Sequence, residues 1–227
     1  MYDINGNLIK VDVSSCDDWS NYLWYVVGDS ITEKNGRAAT HYYDYIANET
    51  GINIKVDALS GTGYSMGMGS NANWLQRVPV NIESYNPDVI TFFGSGNDMN
   101  RAIGTALDTG LSTLGSAINE TLDAVLAVKP FTRIGLITPT PWAGYTPNMD
   151  NNLSQIADLI VNIGKARGIP VLDLYRCSQL YPDDENFRTE YYKEGNTQDS
   201  GIHPNSKGQE RIHGHIREFL RSILTQY

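Results

Sequence analysis

Short apolar runs alternate along the chain with longer segments of helical period. Residues 22–27 form an apolar and aromatic run stopped by Gly28, the pattern of a buried strand. Similar runs at 52–59, 88–93, 133–138 and 171–174 predict four more strands. Between them, 37–50 reads as a helix with Ala39, Tyr42, Tyr43, Ile46 and Ala47 on one face and Gly51 as its cap. Helical patterns also cover 105–129, ended by Pro130, and 151–167, stopped by Gly168, and a last helix opens at Asn205. The stretch 64–85 is mixed, and Pro79 is expected to interrupt any helix there.

Strands alternating with helices of this length predict βαβ units, a parallel sheet and right-handed crossovers. Ligands bind such open sheets outside the carboxyl ends of the strands. Ser30, Gly61, Asn97 and His203 all fall just past those ends, or in the loops beyond them, and so are expected on one edge. Ser30 can attack an acyl carbon if His203 takes its proton. The N–H groups of Ser30 and Gly61, with the Asn97 amide, then supply fixed donors for the oxyanion. Each position also has a plainer use. Asp29, Ser30 or Asn97-Asp98 would cap a helix, and Gly61 would serve a turn. His41, His213 and His215, the other histidines of four, fall on predicted helices away from that edge.

The chain has 227 residues, 41% of them hydrophobic and 19% charged, which suits one ordinary α/β globule. A net charge of -9 without a Lys/Arg-rich run argues against nucleic acid and anionic membrane surfaces as partners. No apolar run approaches the ~18 residues of a membrane span. Residues 1–9 lack the basic and apolar regions of a signal peptide and read as a hairpin turning at Asn5-Gly6. The expected organisation is an arm over 1–20 and one catalytic domain over 21–227, compatible with a domain from a longer or secreted protein. Cys16 and Cys177 are too few for a disulfide framework, and sequence leaves their pairing open. Asp183-Asp184-Glu185 lacks EF-hand spacing and reads as a solvated face, so no metal site is expected.

Gly28-Asp29-Ser30-Ile31, Ser60-Gly61, Gly96-Asn97-Asp98 and His203-Pro204-Asn205 resemble, in order, the four sequence blocks of the SGNH or GDSL-type hydrolase superfamily. The resemblance spans nearly the whole chain from Tyr25 onward. It implies a flavodoxin-like three-layer α/β/α fold with about five parallel strands, and an ester hydrolase working without a cofactor. It assigns Ser30 as nucleophile, Gly61 and Asn97 as oxyanion-hole donors and His203 as base. Two positions depart from the pattern. Ser95 stands where the family usually carries Gly, and Ser200 where it places its triad Asp, three residues before the His. Asp199, one residue further back, is the carboxylate expected to orient His203, with the Ser200 carbonyl as the alternative.

Asp29, Trp142 and Tyr145 are expected to face the substrate, and Trp74 lies near the same edge, since aromatic faces suit sugar rings. No long amphipathic lid is visible. A small-molecule or glycan ester is the expected partner, with O-acetyl groups on carbohydrate ahead of a lysophospholipase-like activity. Ser95 and Ser200 also leave room for a binding module on a decayed hydrolase fold.

Overall fold

The computed structural model describes residues 18–143, 147–195 and 201–225. The hairpin expected at 1–9 and most of the arm 1–20 lie outside the described residues, as does Cys16. Five strands, β1 (Leu23–Gly28), β2 (Asn53–Ala58), β3 (Val89–Phe93), β4 (Arg133–Ile137) and β5 (Val171–Leu172), make one sheet in the order β2-β1-β3-β4-β5. Every neighbouring pair is parallel, and the order is that of the flavodoxin-like fold. The helices are α1 (Tyr42–Thr50), α2 (Trp74–Tyr85), α3 (Leu114–Val128), α4 (Pro147–Arg167), α5 (Leu174–Cys177), α6 (Glu185–Tyr191) and α7 (Ser206–Leu224).

The two-residue period of a strand divides β1 between two cores. Trp24 and Val26 pack with Tyr42 and Ile46 of α1 and Ile212, Ile216 and Leu220 of α7. Tyr25 and Val27 point the other way, into a cluster with Trp74 and Val78 of α2, Ile118 and Leu122 of α3, and Ile156 and Ile160 of α4. With both faces covered, β1 reads as a nearly continuous apolar run, and β3 as one broken only by Thr91.

Several element bounds differ from expectation, each for a local reason. The first helix begins at Tyr42 rather than near residue 37, because the Ala39 and Thr40 N–H groups donate to Ser206 Oγ at 2.9 and 3.3 Å. His41 then takes the N-cap position, its N–H held by Asp44 Oδ2 at 3.0 Å. Pro79 does not interrupt α2 but lies inside it. A reciprocal capping box between Asn73 and Gln76 and the buried face Trp74, Val78 and Ile82 offset the lost backbone bond. The third helix starts at Leu114 because Thr113 caps it, with Asp108 binding both Thr105 and Thr113 hydroxyls in the turn before. In the acidic run, Asp184 is the N-cap of α6 and accepts from Phe187 N–H at 2.7 Å.

One polar pair is sealed in the sheet's interior. Trp24 Nε1–H donates to Thr91 Oγ1 at 2.8 Å between β1 and β3. Thr91→Val keeps the shape but orphans the indole N–H, so it should cost about 1–3 kcal/mol. The check is the urea midpoint at unchanged denaturant slope; a midpoint equal to wild type would contradict it.

Candidate active site

The first strand delivers Ser30 to the carboxyl edge through a tight turn. Asp29 C=O accepts from Thr32 and Glu33 N–H at 3.1 and 2.9 Å. A Cβ at Gly28 would stand 2.3 Å from Thr32 Oγ1, so only glycine lets the turn fold back this closely. Ser30 Oγ lies 2.8 Å from His203 Nε2. The histidine loop is held from both sides. Gly201 C=O accepts from Ala143 N–H at 2.9 Å, and Asn205 caps α7 while its amide donates to the Glu190 and Lys193 carbonyls at 2.9 and 2.8 Å. Burial first, and the charge of Arg37 second, push the His203 imidazole down to about 4. The ring is therefore neutral near pH 7, the form that accepts a proton.

Among the described residues, neither the Ser30 nor the Gly61 N–H donates to a protein acceptor. Gly61 reaches its orientation at φ 74, and a Cβ there would strike Met68. Glu33 joins the two loops, its carboxylate accepting from Ser60 N–H at 3.1 Å and from the Ser60 hydroxyl. Asn35 Nδ2 donates to Ser30 C=O at 2.8 Å.

Asn97 sits on a short 3₁₀ turn, Gly96–Asp98, just past β3. Its amide donates to Thr62 C=O at 3.0 Å and lies 3.4 Å from Asp29 Oδ2. The turn is anchored by Asp98, which accepts from Tyr64, Ser65 and Met66 N–H at 2.9, 3.1 and 2.8 Å and from the Ser65 and Ser95 hydroxyls at 2.8 and 2.7 Å. Ser95 has φ 80, a left-handed conformation that explains why glycine suits the position. Here its hydroxyl bond to Asp98 accompanies the strained backbone, so the departure preserves the turn.

The four residues expected at one edge, Ser30, Gly61, Asn97 and His203, thus meet through shared loops. Asp29 is not set as a substrate-facing residue: it is 1% exposed, with Oδ1 accepting from Ile31 N–H at 3.0 Å. Trp142 is buried too, its ring packed on Gly96 so closely that a Cβ there would lie 2.3 Å from it. Trp74 belongs to the core, stacked edge-on against Tyr64 with centroids 4.6 Å apart. Tyr145, Asp199 and Ser200 lie outside the described residues. Sequence reasoning missed Glu33 and the anchoring role of Asp98; the latter's adjacency to Asn97 in one polar block was the available signal. A groove of about 600 Å³ lined by Phe131, Arg133, Ile169 and Ile223 opens at the opposite, amino-terminal end of the sheet, away from Ser30.

A family model described as GDSL-like lipase/acylhydrolase matches residues 26–211. No curated protein matches the chain. Among solved structures, a lipase/acylhydrolase from Enterococcus faecalis is similar at 20% identity and a TM-score of 0.62, over 88% of this chain and 96% of that one. A catalytic mutant of an acetylxylan esterase from Geobacillus stearothermophilus aligns at 19% identity and 0.61, over 88% and 94%. A family 3 carbohydrate esterase from Clostridium thermocellum aligns at 16% and 0.63, over 89% and 96%.

Asp29 and His203 bias stability in opposite directions with pH. Burial raises the Asp29 carboxyl to about 7, with the Asp98 charge adding to it and the Ile31 N–H bond opposing it. A raised carboxyl binds its proton more tightly folded than unfolded. Its contribution is full below the unfolded value of about 4 and is lost as pH rises through 7. The depressed His203 does the reverse, contributing above its unfolded value of about 6.5 and losing that as pH falls through 4. Between these limits the two slopes oppose. Asp29→Asn should therefore make stability climb more steeply from pH 4.5 to 6.5, by up to about 1.4 kcal/mol per pH unit. Urea titrations across that window check this; an unchanged slope would refute the burial effect.

Proposed function

The chain belongs to the GDSL-like lipase/acylhydrolase family and is an SGNH-type ester hydrolase, and from that premise we propose that it removes short acyl groups, above all O-acetyl groups, from carbohydrate. The observation that carries the mechanism is the 2.8 Å contact of Ser30 Oγ with His203 Nε2. Ser30 Oγ attacks the acyl carbon as His203 takes its proton. The carbonyl electron pair moves onto oxygen and meets the N–H groups of Ser30 and Gly61. The Asn97 proton nearer Asp29 is the third donor, because its 3.4 Å contact is the weaker of the amide's two. The tetrahedral species collapses, His203 gives the proton to the departing sugar hydroxyl, and water repeats the sequence to release acetate and free Ser30.

The carbohydrate reading is supported by the names of two fold neighbours, an acetylxylan esterase and a carbohydrate esterase. The polar side chains beside the nucleophile, Asn35, Glu33 and Ser60, make a polar wall there that suits a polyol better than an acyl chain. We assign Asp199 as the carboxylate that orients the His203 imidazole, from its chemistry and its place four residues earlier in the chain.

A fluorophosphonate should label the wild-type protein once, at Ser30. Ser30→Ala should abolish both labelling and hydrolysis of acetylated xylo-oligosaccharides while keeping the wild-type urea midpoint. Acetyl esters should exceed octanoyl esters in kcat/KM. Retained activity in Ser30→Ala would sink the nucleophile, and an octanoyl preference would sink the substrate class.

Asp199→Asn should lower kcat on the order of 10⁴, as loss of the orienting carboxylate does in a well-formed triad. A loss below about tenfold would assign the role to a backbone carbonyl instead.

A further inference from the structure

Arg77, on the second turn of α2, is a cation that the proposed chemistry does not use. Its side chain is only 9% exposed, and all five donors of its guanidinium fork are engaged. Nε–H donates to Asp57 Oδ1 at 2.5 Å. One Nη donates to Thr62 Oγ1 and Ala72 C=O at 3.2 and 2.8 Å, the other to the Gly28 and Asp57 carbonyls at 3.2 and 3.3 Å. The Asp57 carboxylate is itself fixed by Tyr25 Oη–H at 2.5 Å and Asn81 Nδ2–H at 3.0 Å.

Those acceptors occupy the places that set the oxyanion donors. Gly28 ends β1 two residues before Ser30, and Asp57 lies near the end of β2, four before Gly61. Thr62 directly follows Gly61, and its carbonyl is the one that holds the Asn97 amide at 3.0 Å. Thr62 Oγ1 has no freedom left, since it donates to Leu59 C=O at 2.8 Å and also accepts from Trp74 Nε1–H at 3.2 Å. One rigid planar group therefore spans the roots of the Ser30, Gly61 and Asn97 donors. Misplacing a catalytic group by about 1 Å costs on the order of 10²-fold in rate.

We propose that Arg77 is the positioning residue of the oxyanion hole, setting the spacing of its three donors through the β1 and β2 ends and Thr62. The assignment rests on the reading of Ser30, Gly61 and Asn97 given above. A lysine retains the charge but concentrates its three donors at one point, and cannot bridge acceptors on both loops.

The test is steady-state kinetics on an acetyl ester. Arg77→Lys should lower kcat about 10–100-fold with KM within about twofold, because the donors act once the oxyanion forms. Affinity for a boronic acid, which mimics the tetrahedral species on Ser30, should fall in parallel. The acid limb of the pH profile, which reports His203, should not move. In the double variant Arg77→Lys/Asn97→Ala the losses should be less than multiplicative, since part of the Arg77 effect passes through the Asn97 amide. In Arg77→Ala, free guanidinium ion should restore kcat at least fivefold, and methylammonium should not. If Arg77 variants do not fold, Thr62→Val, which removes one acceptor of the fork, should lower kcat about fivefold at constant KM. A lowered urea midpoint with wild-type kcat and boronate affinity would overturn the proposal and leave Arg77 a purely structural residue. Loss of the Ser30 assignment itself would appear separately, as activity persisting in Ser30→Ala.

Discussion

The contact of Ser30 with His203 joins residues 173 positions apart, and much of the polar structure around it keeps that distance short. Gln209 is the clearest case. Buried at 1% exposure on α7, it donates from Nε2 to Ile31 C=O at 2.9 Å and accepts at Oε1 from Tyr42 N–H at 3.3 Å. One side chain thus pins the helix that follows His203 to the loop that follows Ser30. Ser206 adds the Ala39 and Thr40 bonds from the same helix start, and Glu194 accepts from Ser206 N–H and Oγ, both at 2.9 Å. The apolar seam of α1 against α7 supplies the driving force, and these polar links select its register.

Two carboxylates lie under the same site in contrasting settings. Asp98 collects three backbone and two hydroxyl donors, and its role is to shape the 63–66 loop and the Asn97 turn. Asp29 receives one close backbone donor and the longer Asn97 contact, and burial dominates its chemistry. Burial disfavours the charged form of a carboxyl that few donors reach. Side by side, one acid anchors two loops through five hydrogen bonds, while burial raises the carboxyl of the other to about 7.

The sheet, the layer order and the placing of Ser30, Gly61, Asn97 and His203 at one edge were legible because each follows from local signals: apolar runs, glycine stops and loops at strand ends. What was not legible depends on partners distant in sequence. The late start of α1 is set by Ser206, and the persistence of α2 through Pro79 by a face packed on β1 and β3. Trp74 reads as an aromatic near the substrate edge, yet its indole is core. Ser95 stood out only as a substitution, since no sequence pattern reveals a φ of 80 bought with a hydroxyl bond. Arg77 gave no signal, because most of its acceptors are backbone carbonyls.

The sheet's two rims are finished differently. β5 has only two residues, so that side offers almost no ladder to a passing strand. β2, at the other rim, is six residues long and pairs on one side only among the described residues, with Asn53, Lys55 and Val56 exposed. Lys55 places a positive charge along it, its Nζ folding back over the Tyr85 ring at 5.3 Å. A charged residue on an open rim discourages a second chain from extending the sheet. Protection from fibre-like self-association therefore rests on brevity at one margin and on charge at the other, and high salt would weaken only the second.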